Sequence, residues 1–366
     1  VTANFNDGTK LRAEVIGTDE KTDIAVLKVE PETPLKEVGF GDSDGIRVGD
    51  WVMAIGNPFG LGGTVTVGIV SARNRDINAG PYDNFIQTDA SINRGNSGGP
   101  LFDMDGNVIG INTAIISPSG GSIGIGFAIP AKTAIRVIDQ LREFGETRRG
   151  WLGVRIQEVT DEIAESLGMD DAIGALVAGV TDDGPAAKGD IEAGDVIIKF
   201  DGKTVESMRE LPRMVAETAI GKEVDVVVLR KGEEVTIRVT LERLEENQVT
   251  EASAPAEQEP DQPAETSKVL GMTLAELDDA LRQQFSIEED VTGVVVTEVE
   301  AGSSAEEKRV MAGDVIKEVA QEAVSTPADV EAEIQKLKDD GRRSALLLLS
   351  NPTGDVRFVP VRIEDN

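Results

Sequence analysis

Two stretches of this chain repeat one another at a fixed separation. "GALVAGV…AGDVIIKFDGKTV" (174–205) matches "TGVVVTEV…AGDVIKEVAQEAV" (292–324). Gly174 pairs with Gly293, and Ala193-Gly194-Asp195-Val196-Ile197 with Ala312-Gly313-Asp314-Val315-Ile316, both at an offset of 119. Equal offsets at two separate points identify an internal repeat, so the second half must fold as two copies of one small module. Each copy continues into a helical stretch, "MRELPRMVAET" or "PADVEAEIQKLKD", and then two strands. Between the copies, "EENQVTEASAPAEQEPDQPAETSK" (245–268) is rich in Glu, Ala, Pro and Gln, carries too little apolar surface to fold, and reads as an extended flexible linker.

Ahead of the repeat, residues 1–130 read as successive short strands, among them "DIAVLKVE", "WVMAIGNP", "TVTVGIVSA" and "NVIGINTAII". Gly, Asn, Asp and Pro punctuate them at hairpin-like intervals with no helical pattern between, which indicates an antiparallel barrel or sandwich. At Pro130 the period changes: Ala134, Ile135, Ile138, Leu141 and Arg142 share a helical face, with Gly145 just past the end.

Composition narrows the chemistry. With 67 acidic against 36 basic residues the net charge is −31, which opposes phosphate-backbone binding and argues against nucleic acid or an anionic membrane as partner. The bland reading of that charge is solubility. The chain has no cysteine and no histidine, which excludes disulfides, thiol catalysis and a conventional zinc or copper site; only carboxylate-bound Ca²⁺ or Mg²⁺ stays conceivable, and neither metal nor cofactor is expected. No apolar run of membrane-spanning length occurs, and no N-terminal segment reads as a signal peptide. The opening "VTANFNDGTK" starts inside a hairpin, from which an upstream part is expected to be missing.

The stretch "NRGNSGGPLF" (93–102) holds a serine between glycines. Gly95, Gly98 and Gly99 let the backbone turn sharply, and the Gly95-Asn96-Ser97 segment offers an oxyanion hole in which the amides of Gly95 and Ser97 point at one oxygen. A glycine-rich hairpin with an incidental serine is the plain structural alternative. A serine nucleophile needs a general base, most often histidine, oriented by a third group, and this chain supplies no histidine.

"TDASINRGNSGGPLFDMDGNVIGINTA", with "TDIAVLKV" upstream and "GIGFAIP" downstream, resembles the protease domain of the HtrA/Deg (Do-like) serine endopeptidases. The resemblance runs in order along nearly the whole chain. It implies a mainly β fold with some α: a trypsin-like antiparallel double β-barrel with an incomplete first barrel (1–147), a first PDZ domain (148–244), the acidic linker (245–268) and a second PDZ domain (269–366). It also implies that Ser97 is the nucleophile and Asp23 the carboxylate that orients the histidine, which falls upstream of Val1. "GIGFAIP" then resembles the strand whose backbone pairs with substrate and whose side chains wall the specificity pocket, which makes Ile125, Gly126, Phe127 and Ala128 the substrate-binding residues, with Ile125 and Phe127 giving an apolar pocket. The loop 71–84 takes the place of a regulatory loop with Arg75 as sensor.

"RRGWLGVRIQ" (148–157) resembles a PDZ carboxylate-binding loop and the strand after it, so the amides of Leu152, Gly153 and Val154 are expected to hold a chain-terminal carboxylate. In the second copy Leu270, Gly271 and Met272 stand in the same place, but Val269 replaces the family's glycine-aromatic opening, which sets peptide binding there against a docking or assembly role. The implied activity is ATP-independent serine endoproteolysis of misfolded or unfolded envelope proteins in the bacterial periplasm, by a trimer-based homo-oligomer whose PDZ domains bind substrate C-termini. The 366 residues themselves, lacking the base, are expected not to cleave casein, unless an unrecognised base such as Lys21 serves. A non-proteolytic PDZ scaffold or holdase is the alternative.

Overall fold

The computed structural model describes residues 1–5, 7–58, 63–118, 120–244 and 267–363, divided into two compact units at Arg148 and Arg149. Apart from one helix, the regular structure described in the first unit is antiparallel sheet. Its strands are β1 (Thr2–Asn4), β2 (Lys10–Arg12), β3 (Glu14–Asp19), β4 (Ile24–Lys28), β5 (Trp51–Gly56), β6 (Thr64–Arg75), β7 (Phe85–Thr88), β8 (Pro100–Phe102), β9 (Val108–Ile115) and β10 (Gly126–Pro130). Six of them close into a barrel in the order β10-β7-β6-β5-β8-β9, while β1-β2 and β3-β4 form separate two-stranded hairpins. Period-two burial drives the closure: on β5, Val52 and Ala54 are buried and meet Val70, Ile86, Leu101 and Ile109 inside, while Trp51 faces out.

The helix expected after Pro130 is α1 (Ala131–Phe144), closed by Gly145 in the left-handed region at φ 74° with its amide on the Leu141 carbonyl. Its inner stripe begins at the buried Ala131, and Ala134, Val137 and Leu141 pack on Ile24 of β4 and Ile129 of β10, so the helix fixes the β3-β4 hairpin beside the barrel. Contact at Gly17 is tight enough that a Cβ would lie 2.5 Å from the Gly145 carbonyl oxygen.

The second unit holds the two repeats. In the first, β11 (Gly150–Trp151), β12 (Val154–Glu158), α2 (Asp161–Leu167), β13 (Ala175–Val180), α3 (Pro185–Lys188), β14 (Val196–Phe200), β15 (Lys203–Thr204), α4 (Glu210–Ala216), β16 (Glu223–Arg230), β17 (Glu233–Thr240) and β18 (Glu242–Arg243) build a sheet of order β12-β13-β14-β16-β17, with β11 paired to β18. The second has β19 (Ser267–Val269), β20 (Met272–Glu276), α5 (Asp279–Phe285), β21 (Val294–Val299), α6 (Ser304–Glu307), β22 (Val315–Val319), β23 (Glu322–Ala323), α7 (Pro327–Asp339), β24 (Ser344–Ser350) and β25 (Val356–Arg362), ordered β19-β20-β21-β22-β24-β25. Residues 245–266 of the expected linker lie outside the described residues; its last two, Ser267 and Lys268, are strand.

The repeated "AGDVI" has the same physical job in both copies. Val177 donates to the Asp195 carbonyl and Gly194 to the Val177 carbonyl, and Val296, Asp314 and Gly313 reproduce both bonds. The aspartate side chains are buried, Asp195 beneath Arg230 at 2.7 Å and Asp314 beneath Arg357 at 2.9 Å. A buried carboxylate without such a partner would cost several kcal/mol, on the order of 3–5. The two sheets meet through Ile163, Leu176 and Ile198 of one copy and Leu346, Leu348 and Phe358 of the other. At that seam the Gln157 amide pairs with the Phe358 backbone in both directions, 2.8 Å to its carbonyl and 3.0 Å from its N–H.

Candidate active site

The serine loop shows why its glycines are needed. Gly95 adopts φ 107°, and a Cβ there would lie 2.3 Å from the Asn57 carbonyl oxygen; at Gly99 a Cβ would lie 2.3 Å from the Ile55 carbonyl oxygen. Gly98, at φ 83°, has open space around it and is required only for its backbone angle. Backbone bonds from Gly98 to Asn112 and from Asn112 to Gly99 stitch the loop to β9. Ser97 is thereby held exposed at the barrel surface.

Its hydroxyl donates to the Thr113 carbonyl at 2.9 Å, and the Thr113 hydroxyl donates to the Asp23 carboxylate at 2.6 Å. One residue therefore joins the two groups that the sequence pointed to. Thr113 is free to do so because β9 bulges against β10: Phe127 faces Ala114 and Ala128 faces Asn112, leaving Thr113 as the extra residue. Bulges of this kind re-aim a side chain and release its backbone from the ladder. Asp23 sits in the β3-β4 turn at φ 57°, an angle that aspartate tolerates better than most residues. Sequence reasoning missed Thr113, since "INTAI" reads as uninterrupted strand.

Among the described residues the amides of Gly95 and Ser97 donate to no protein acceptor, whereas the Asn96 amide is taken by the Asn93 carbonyl at 2.9 Å. Two uncommitted donors, one on Ser97 itself and one two residues before it, are the kind of pair that a developing oxyanion requires. Asn96 is instead a buried brace, its side-chain amide donating to the Ser91 carbonyl at 3.3 Å. A cavity of about 280 Å³ opens beside Asp23 and Thr113, lined also by Lys21, Tyr82, Phe85 and Ile129.

The strand in "GIGFAIP" is paired along both edges. Gly126, Phe127 and Ala128 are paired on one side with β7 and on the other with β9, so their backbone has no free edge for a substrate strand. Phe127 is buried and meets the Phe85 ring edge-on at 6.1 Å. Gly126 lies against Ile92, where a Cβ would come within 2.7 Å of its side chain, and Ile125 is the one partly exposed member of the set. Arg75 ends β6 and donates to Gln87 at 2.9 Å, and the loop after it is organised by Asp83, which accepts from the Ile77 and Ala79 amides. No contact among the described residues joins Arg75 to Ser97 or Asp23.

In the second unit, Leu152 is buried and its carbonyl accepts from Ala186, while the Gly153 carbonyl accepts from Thr181, both at 2.8 Å. With the carbonyls turned inward, the amides of Leu152 and Gly153 donate to no acceptor among the described residues. Val154 opens β12, the edge strand of its sheet, and Val154, Ile156, Met208 and Met214 are partly buried apolar side chains around the same core. The counterparts Leu270 and Gly271, at φ 51° and 76°, form instead the turn of the β19-β20 hairpin, with Met272 its first residue beyond.

A closed six-stranded barrel with this serine loop, followed by two repeats of one β-rich module, defines a trypsin-like serine protease with two PDZ domains. Residues 1–111 match the family described as trypsin-like peptidase domain, and 150–241 and 261–347 each match the PDZ domain family. A probable periplasmic serine endoprotease DegP-like of Brucella suis is 48% identical over 363 residues, 99% of this chain and 68% of that protein. The protein of the same description from Rhizobium meliloti is 44% identical over 99% of this chain and 70% of its own length. Among solved structures, the HtrA-type protease AlgW with decapeptide aligns at 48% identity and TM-score 0.60, covering 67% of this chain and 75% of that one. The serine endoprotease from Yersinia pestis aligns at 36% identity and TM-score 0.50, over 67% and 80%. The chain belongs to the HtrA/DegP-like serine endoproteases. Among the described residues no helix is long and apolar enough to cross a membrane.

Proposed function

We propose that Ser97 is the nucleophile, Asp23 the carboxylate that orients its base, and the Gly95 and Ser97 amides the oxyanion hole of an ATP-independent endoprotease acting on unfolded or misfolded proteins. The observation that carries this reading is the Ser97–Thr113–Asp23 chain of hydrogen bonds. Through it one residue, Thr113, touches both Ser97 and Asp23, which supports their acting as one unit. The first PDZ domain holds substrate C-termini at Leu152, Gly153 and Val154, delivering extended, apolar segments to the barrel. We place this activity in the periplasm, as the names of the relatives do for those proteins, in a trimer-based homo-oligomer.

The 366 residues contain no histidine, and the Ser97 hydroxyl donates to a carbonyl, which takes no proton from it. The chain as it stands therefore does not turn over casein. Imidazole supplied in solution restores the missing proton acceptor, and casein cleavage then appears in proportion to imidazole. It disappears in Ser97→Ala. Cleavage without imidazole that is lost in Ser97→Ala would show another base, with Lys21 the residue to replace first. The same hydrogen bond favours a second reading, a peptide-binding scaffold or holdase; it is upheld if imidazole gives no turnover while a peptide with a free C-terminus still binds.

A further inference from the structure

The two PDZ copies differ at one edge. In the first, the residues ahead of the loop, β11, pair with β18 and leave the outer edge of β12 open among the described residues. In the second, the corresponding residues, β19, fold back along β20 with the antiparallel register Val269 to Met272, Lys268 to Thr273 and Ser267 to Leu274. We propose that β19 is a built-in occupant of the second PDZ groove, so that this chain offers a vacant peptide groove only at β12. The proposal rests on the reading of the first PDZ domain as a binder of chain ends.

β19 makes each kind of contact that an added strand makes. Its backbone extends the sheet from the edge of β20, and α7 packs along its other side. Val269 is 8% exposed and enters the core with Val330 and Ile334 of α7. The Ser267 hydroxyl donates to Glu331 on the same helix. Where a separate peptide would end, β19 continues through Leu270 and Gly271 into β20, a two-residue turn with both residues at positive φ. That turn is pinned: the Gly271 carbonyl accepts from Glu300 at 2.7 Å, and a Cβ on Gly271 would lie 2.4 Å from that of Ser303. A strand tethered this closely competes at an effective concentration on the order of millimolar, far above a peptide supplied at micromolar level. The occupant's own pattern, a hydroxyl two residues ahead of a β-branched apolar residue, names the peptide chemistry that competes with it.

The test titrates the full chain with an extended peptide that ends in a free carboxylate on an apolar residue and carries a photo-crosslinking group. The expected result is one equivalent bound, with label on β12 and α4. Hydrogen exchange of the free chain should show β19 amides protected together with β20. Label on β20 or α7, two equivalents of similar affinity, or rapid exchange throughout β19 would overturn the proposal. Val269→Asp places a carboxylate in the apolar core and expels β19, raising the stoichiometry from one to two. If β24 and β25 keep their exchange protection in that variant and the stoichiometry stays at one, the proposal fails; if they lose it, the wild-type labelling and exchange decide. Absence of label on β12 counts against the reading of the first PDZ domain alone, since protection of β19 is measured without peptide.

Discussion

The Thr113 hydroxyl donates to the Asp23 carboxylate at 2.6 Å, from a residue whose carbonyl already accepts the Ser97 hydroxyl. A hydrogen bond to a charged group contributes about 1.5–3 kcal/mol, and in this place it also fixes which way the carboxylate faces. Thr113→Val keeps the β-branched shape that suits the strand and removes only the donor. With imidazole present, fluorophosphonate labelling of Ser97 should slow by about tenfold or more, the rate equivalent of ~1.4 kcal/mol. Thr113→Ser should recover most of the rate with no change in folding, which a merely structural role for the threonine would not produce.

The three glycines of the serine loop should respond to alanine in different ways. Gly95→Ala and Gly99→Ala drive a methyl to within 2.3 Å of a carbonyl oxygen, so the loop must move. Gly98→Ala meets nothing within 4 Å and bears only the cost of positive φ, about 1 kcal/mol. Thermal unfolding followed by circular dichroism should therefore rank Gly98→Ala as the mildest. Imidazole-supported labelling should survive in Gly98→Ala and be lost in the other two, because the Gly95 and Ser97 amides proposed as the oxyanion hole lie in the segment that must move.

Gln157 couples the strand proposed to receive peptide to the far copy, through its two bonds with the Phe358 backbone. Gln157→Ala gives up both, each contributing about 0.5–1.5 kcal/mol. Gln157→Glu is predicted to be the more damaging, since a carboxylate oxygen would then face the Phe358 carbonyl. Exchange of the Phe358 amide should accelerate in the order wild type, Ala, Glu. An unchanged rate in both variants would mean that the apolar seam alone holds the copies together.

Legibility in the sequence followed the range of the interaction. The serine loop and the helix after Pro130 were readable because glycine angles, caps and periodicity are local. The repeat was readable because Asp195 and Asp314 perform one local task twice. Thr113 was hidden, as a bulge exists only once β9 has a neighbour to bulge against. The pairing of β10 was hidden for the same reason: nothing in "GIGFAIP" says that both edges of Gly126–Ala128 will be taken. Ser267 and Lys268 were assigned to the linker on composition, while the strand they form is held by Glu331 and Met272, far along the chain or across a turn.

The buried Asp314 of the second copy gives a prediction that depends on pH. Burial pushes the Asp314 carboxyl above its ordinary value, against the Met311 amide and the Arg357 guanidinium, which pull it down. An acid whose folded value is raised binds its proton more tightly in the native state than in the unfolded chain. Its contribution is therefore most favourable when protonated and is lost as pH rises from the unfolded value through the folded one. Asp314→Asn cannot titrate and lacks that loss. The stability of the second PDZ domain, measured by hydrogen exchange between about pH 3 and pH 6, should thus fall more steeply in the wild type than in Asp314→Asn. The advantage of wild type over variant should shrink as pH rises across that window. An advantage that grew instead would show that attraction to Arg357 outweighs the cost of taking the Asp314 charge out of water.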